Sequence, residues 1–124
     1  EECEVVMTAE PREVAIAIHY RVGRRHPLTR GAAGIAILAA RPETSMDTPD
    51  IRFARYHGYS ITQGQLHKGA VGVSSAVRLS SGGRAPQEFS IGVVALEDLK
   101  LDEAAQAVVD AAQSLSKAVG GELM

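Results

Sequence analysis

The sequence feature that most constrains the fold is an uninterrupted run of small and aliphatic residues from Gly31 to Ala40, GAAGIAILAA. A helix that is apolar around its whole circumference must be buried on every side. Thr29 lies just upstream and is the predicted N-cap, because its hydroxyl can accept one of the N–H groups that a helix start leaves unpaired. The run therefore predicts a buried helix that begins inside the protein.

The start of this helix is also a candidate binding site. Unpaired N–H groups and the positive end of the helix dipole favour an anion. Small residues would leave room for that anion to approach, and four of them stand here: Gly31, Ala32, Ala33 and Gly34. The alternative is a helix whose small residues only permit close packing on a sheet, which is common without any ligand.

Length and composition limit the classes of protein to which the chain can belong. Its 124 residues suit one domain with one core, and the formal charge of -2 gives no positive field for non-specific nucleic-acid binding. One cysteine, Cys3, excludes an internal disulfide. No apolar run approaches the roughly 20 residues that span a bilayer, so we expect a cytoplasmic protein with no membrane partner. Because Glu1 enters a strand-like segment almost at once, we expect the chain to be part of a longer polypeptide.

Alternation and helical spacing predict the remaining elements. Two strands, Glu4–Ala9 and Val14–Tyr20, are predicted to pair, and a basic loop follows them over Arg21–Arg30. Further on, the sequence predicts a helix over Pro49–His57 ended by Gly58, a strand over Tyr59–Thr62, a loop feeding a strand within Gln65–Leu79, a hairpin tip at Gly82 and Gly83, a strand over Glu88–Leu96, and a helix over Leu101–Val119 stopped by Gly120 and Gly121.

Residues that could carry chemistry form no catalytic or metal-binding pattern. The histidines lack a partner at a metal-ligand spacing, and no phosphate-binding glycine fingerprint or nucleophile elbow is present. They are His19, His26, His57 and His67. His19 is either a core residue or a ligand contact, and the basic loop is either a solvated segment or a patch that steers anions. We predict a domain that binds rather than reacts, with no metal and no cofactor.

Three segments taken in order carry a resemblance to a known family. They are VGRRHPLTRGAAGIAILA (22–39), GYSITQGQLHKGAVGVSSAV (58–77) and FSIGVVAL (89–96). Together they resemble the C-terminal effector-binding domain of IclR-type bacterial transcriptional regulators. The resemblance implies that residues 1–124 form a single α/β (α+β) domain, with a GAF-like (profilin-like) antiparallel sheet flanked by α-helices. It also implies a homodimer or tetramer, and DNA contact only through a winged helix-turn-helix absent from this chain.

The resemblance further implies a small-molecule effector, a carboxylate or an aromatic acid, bound by Gly31, Ala32, Ala33, Gly34, Ile35, Gly72, Ser74 and Ser90. The carboxylate would accept from the N–H groups of Ala32 and Ala33, with the hydroxyl of Ser74 or Ser90 completing the site.

The chain departs from the family pattern at several positions. It has Gly31 and Ile35 where Thr and Lys are usual, Gln65 where an acidic residue is usual, and Gly72 and Ala76 in place of Cys and Pro. These changes remove polar groups from the expected site. They leave open a larger or more apolar effector, a domain that serves oligomerisation alone, and an enzyme with an unfamiliar site.

Overall fold

The computed structural model describes residues 1–9, 21–66, 68–78, 88–96 and 98–122. Its elements in chain order are β1 (Glu2–Glu4), β2 (Arg25–Pro27), α1 (Ala32–Ala40), α2 (Pro49–His57), β3 (Ser60–Gln63), β4 (Ala70–Val77), β5 (Phe89–Leu96) and α3 (Leu101–Glu122). Strands β3, β4 and β5 form an antiparallel sheet in that order, and β1 pairs with β2. The predicted α+β domain with an antiparallel sheet and flanking helices is confirmed.

Strand β4 is the centre of the larger sheet, and both of its faces are covered. Val71 and Val73 point toward α3, where they form a core cluster with Ala104, Ala105 and Val108. The alternate residues of β4 face α1 instead. The two faces explain why this strand is a continuous apolar and small-residue run rather than a polar and apolar alternation.

Helix α1 is buried as predicted, but its N-cap is not Thr29. Thr29 is exposed, and the cap position is held by Gly31 at φ +88°, without a side-chain hydrogen bond to the helix. A positive φ is accessible to glycine at little cost, so the chain turns sharply into the helix at this residue. The first turn of α1 therefore presents its N–H groups without a capping hydroxyl from upstream.

Helix α2 matches its prediction. Thr48 Oγ1 accepts from the N–H of Ile51 at 3.3 Å, Pro49 opens the helix, and Gly58 closes it at φ +84°. The last helix, α3, covers one face of the sheet, where it packs on Val71 and Val73. The expected stop at Gly120 and Gly121 is wrong, since α3 continues through both to Glu122. Glycine within a helix costs about 1 kcal/mol and does not by itself end it.

The N-terminal pairing differs from the predicted hairpin. Strand β1 is confined to Glu2–Glu4, and its partner is β2, which lies inside the segment predicted to be a basic loop. The register sets Glu4 opposite Arg25, whose Nε lies 2.8 Å from Glu4 Oε1, and this cross-strand ion pair favours the ladder. The predicted strand Val14–Tyr20, its residue His19, the histidine His67 and the tip at Gly82 and Gly83 lie outside the described residues. The β4–β5 pairing on either side of that tip is confirmed.

Candidate functional site

A small cavity lies where the start of α1 meets the sheet, and we call it the α1 cavity. Its volume is about 50 Å³. Its described lining residues are His26, Gly31, Ala32, Ala33, Thr62, Gln65, Leu66, Ala70, Gly72, Ser74 and Val94. Backbone N–H groups of the first helical turn, hydroxyls from two strands and an imidazole thus converge on an otherwise apolar space, which is the usual composition of a small-ligand site.

Of the eight residues predicted for the site, five line the α1 cavity: Gly31, Ala32, Ala33, Gly72 and Ser74. Gly72 lies close to α1, and an added Cβ would lie 3.1 Å from both Ala32 Cβ and Thr62 Oγ1. A side chain at Gly72 would therefore narrow the cavity, which gives this glycine a role in keeping the space open.

The other three predicted residues have other surroundings. Gly34 packs on the main chain of Leu28. Ile35 is 2% exposed and lies in the cluster that α1 forms with α2. The hydroxyl of Ser90 donates to the carbonyl of Ala33 at 3.0 Å. These residues position the helix, and its first turn rather than its whole length faces the cavity.

Two serines from flanking strands hold the first turn of α1 on the sheet. Ser60 of β3 is buried, and its Oγ donates to the carbonyl of Ala32 at 2.6 Å, while Ser90 of β5 makes the equivalent bond to Ala33. Because both bonds are to carbonyl oxygens, neither serine uses an N–H group of the turn. The geometry of the helix start is thus fixed from two strands.

Several lining residues were not among the predicted site residues. Thr62 follows Ser60 by two positions, so the alternation of β3 already sets both on the α1 face, and this signal was available. Gln65 stood out only as a departure from the family pattern. Leu66 would clash with a Cβ on Gly31, at 2.6 Å to its Cδ1, so it lies directly over the helix start. Only the fold brings the Gln65–Leu66 segment, β2 and α1 together.

His26 is the one buried histidine among the described residues, and it is linked to Cys3 across the β1–β2 ladder. Its Nδ1 lies 3.1 Å from the carbonyl oxygen of Pro27, and its Nε2 lies 3.2 Å from Cys3 Sγ. Cys3 Sγ also lies 3.4 Å from Nδ1, so the thiol approaches both ring nitrogens of His26. Burial raises the pKa of the Cys3 thiol, which disfavours a reactive thiolate at this position.

The described part of the chain holds no group of three or more histidine, cysteine or acidic residues that could bind a metal ion. Among the same residues, no helix is long and apolar enough to cross a membrane. Two charged residues, Arg30 and Asp50, contact the lining residue Gln65. Arg30 Nη2 donates to the Gln65 carbonyl at 2.6 Å, and Asp50 Oδ2 accepts from Gln65 Nε2 at 3.1 Å.

Comparison with known proteins identifies the fold. No protein-family model matches the sequence, and no curated protein matches it either. Solved structures do match, and this chain shares its fold with parts of bacterial transcriptional regulators.

The particular family that shares this fold is the IclR type, which confirms at the level of fold the resemblance seen in the sequence. The Agobacterium tumefaciens repressor BlcR matches with 23% identity and a TM-score of 0.69 over 88% of this chain and 53% of its own. An IclR regulator from Alicyclobacillus acidocaldarius matches with 18% identity and a TM-score of 0.71 over 97% and 55%. The C-terminal domain of a Vibrio cholerae regulator matches with 21% identity and a TM-score of 0.68 over 87% and 75%. The chain therefore spans about half the length of the first two regulators.

Proposed function

We propose that this domain binds a small carboxylate in the α1 cavity, and that the protein uses this binding to regulate transcription through a DNA-binding segment outside the chain. The observation that carries the proposal is the convergence of the first turn of α1, Thr62, Ser74 and His26 on one cavity. The likeness to solved regulators supports the regulatory part.

The first helical turn supplies the recognition. The N–H groups of Ala32 and Ala33 have no acceptor within the helix, because the first N–H groups of an α-helix precede any carbonyl that they could reach. An ionised oxygen accepts hydrogen bonds about twice as strong as a neutral one, and the helix dipole adds to its stabilisation. Ser74 supplies a hydroxyl, whereas the Ser90 hydroxyl is already bonded to Ala33. The carboxylate is therefore bound by Ala32, Ala33 and Ser74.

The volume of the cavity limits the size of the effector. One water needs roughly 10–15 Å³ of such volume, so the 50 Å³ of the α1 cavity holds three to five heavy atoms. Formate and acetate fit this space, and an aromatic acid fits only if neighbouring side chains move. At a ceiling of about 1.5 kcal/mol per heavy atom, acetate binds with a dissociation constant no tighter than tens of micromolar.

The test is an NMR titration of the ¹⁵N-labelled chain with formate, acetate, propionate and benzoate, with acetamide as the neutral control. We expect saturable shifts for formate and acetate at the amides of residues 31–34 and Gly72, weaker binding of acetamide, and none of benzoate. Gly72→Ala should abolish acetate binding because its methyl group fills the cavity. Ser114→Thr adds one methyl group on the exposed face of α3 and should bind like the wild type.

The small volume also favours a second candidate, a domain that binds no effector and serves oligomerisation alone. That reading expects no saturable shift with any acid of the series and a dimer or tetramer in sedimentation velocity. Saturable acetate shifts at residues 31–34 and Gly72 would exclude this second candidate. An oligomer that forms without acid, in a chain that binds none of the acids, would exclude the effector proposal instead.

A further inference from the structure

Gln65 makes three hydrogen bonds at the edge of the α1 cavity, two to the segment that leads into α1 and one to α2. Its side-chain Oε1 accepts from the N–H of Gly31 at 2.9 Å, and its Nε2 donates to Asp50 Oδ2 at 3.1 Å. Its main-chain oxygen accepts from Arg30 Nη2 at 2.6 Å. The last contact fixes the main chain of Gln65, so the side chain can rotate without displacing the segment that carries it.

We propose that the Gln65 carboxamide is an internal competitor of the ligand, an inference that rests on the proposed function. A carboxamide oxygen and a carboxylate oxygen accept hydrogen bonds with the same planar geometry. The Gly31 N–H immediately precedes those of Ala32 and Ala33, and Gln65 lines the same cavity. The neutral oxygen of Gln65 thus takes one place at the helix start that a charged ligand oxygen fills more strongly.

Displacing the side chain has a consequence at α2. Asp50 lies in the first turn of that helix, and Gln65 Nε2 is the donor that links it to the cavity. When a ligand bound to the N–H groups of Ala32 and Ala33 also takes the neighbouring Gly31 N–H, Gln65 rotates away and its bond to Asp50 breaks. A ligand in the cavity thereby removes the contact between Gln65 and the start of α2. Ligand binding thus changes the structure outside the cavity.

The test compares Gln65→Ala with the near-isosteric Gln65→Glu, using acetate as the probe and NMR titration of the full chain. Removing the competitor should tighten acetate binding by a few-fold to about tenfold, the value of one neutral hydrogen bond. Gln65→Glu should weaken acetate binding instead, because its carboxylate occupies the same place and repels a second anion. Hydrogen exchange of the Gly31 amide should be faster in Gln65→Ala and slow again when acetate is added.

The wild-type chain provides a measurement that needs no variant. Acetate should shift the side-chain NH₂ resonances of Gln65 along the same saturation curve as the Gly31 amide, because the bond to Asp50 breaks. Acetate binding by the Gln65→Ala chain but not by the wild type would also support the proposal that Gln65 competes with the ligand.

Two outcomes would overturn the proposal while the proposed function stands. One is acetate binding weakened equally by both variants, which would make Gln65 a direct ligand contact. The other is acetate binding unchanged in Gln65→Ala. If no acid of the series binds to either wild type or Gln65→Ala, both proposals fail together.

Discussion

Replacing Gly34 by alanine tests how closely α1 approaches the segment before it. An added Cβ at Gly34 would lie 2.7 Å from Leu28 Cα and 2.8 Å from its carbonyl carbon, and nearer still to the carbonyl oxygen. Real Cβ atoms essentially never approach other heavy atoms within 3.0 Å. Because these atoms belong to the main chain, no side-chain rotation relieves the contact. The helix or the segment that carries Leu28 has to move.

Two effects of opposite sign decide the magnitude. Alanine is favoured over glycine inside a helix by about 1 kcal/mol. Overpacking a well-packed core costs typically 1–3 kcal/mol, and an obstacle made of main chain belongs at the upper end of that range. We therefore expect Gly34→Ala to lower the free energy of unfolding by about 1–2 kcal/mol. For a chain of this length, that loss corresponds to a midpoint lower by about 3–10 °C.

Calorimetry and urea unfolding of the chain measure this loss, and α3 offers the reverse substitution as a control. Ala107→Gly lies on the exposed face of that helix and should also destabilise, by about 1 kcal/mol, through propensity alone. Opposite substitutions in two helices would then change stability in the same direction. A Gly34→Ala chain as stable as the wild type, or more stable, would refute the close approach of α1 to Leu28.

Two further predictions concern contacts that hold the helix and strands in place. Ser60→Ala should lower the free energy of unfolding by about 1 kcal/mol, because the bond to the Ala32 carbonyl is lost. Ser90→Ala should lower it by less, because Ser90 is only half-buried. Equal losses of stability in thermal unfolding would contradict this ranking. Glu88 Oε2 lies 2.7 Å from Arg41 Nε, and the guanidinium lowers the pKa of the Glu88 carboxyl below its ordinary 4.5. The stabilisation of the fold by this ion pair is therefore present above pH 4.5 and is lost as the pH falls through the lowered value. Glu88→Gln should therefore lower the free energy of unfolding by less than about 1 kcal/mol at pH 7. This difference between variant and wild type should shrink below pH 4.5 and in high salt. A difference that does not depend on pH would show that the charge is not the cause.

Elements whose pattern is set by their own residues were predicted from the sequence. Thr48, Pro49 and Gly58 supply a cap, a first residue and a stop within a few positions of α2, so local chemistry determines that helix. Strands β1 and β2 are three residues each, and their ladder joins positions more than twenty apart. No local pattern marks such short strands, because their stability comes from the pairing itself.

The predicted residues that line the α1 cavity lie at the start of α1 or on β4. The lining residues that come from distant segments of the chain were not predicted. Ala32, Ala33 and Ser74 follow from the family resemblance and the helix start. Gln65 and His26 reach the same space only because β2 and the Gln65 segment pack over α1. A single sequence contains no signal for that packing, since neither residue differs in its local pattern from an exposed loop residue.

Glycine shows why composition alone does not separate packing from binding in this site. Gly31 is required by its positive φ, and Gly34 by the main chain of Leu28. Gly72 lies between Ala32 and Thr62, where a Cβ would be 3.1 Å from Ala32 Cβ and from Thr62 Oγ1. In the sequence all three look like one small-residue pattern. In the structure an added Cβ meets its mildest contacts at Gly72, and for this reason it is the residue on which the effector proposal is tested.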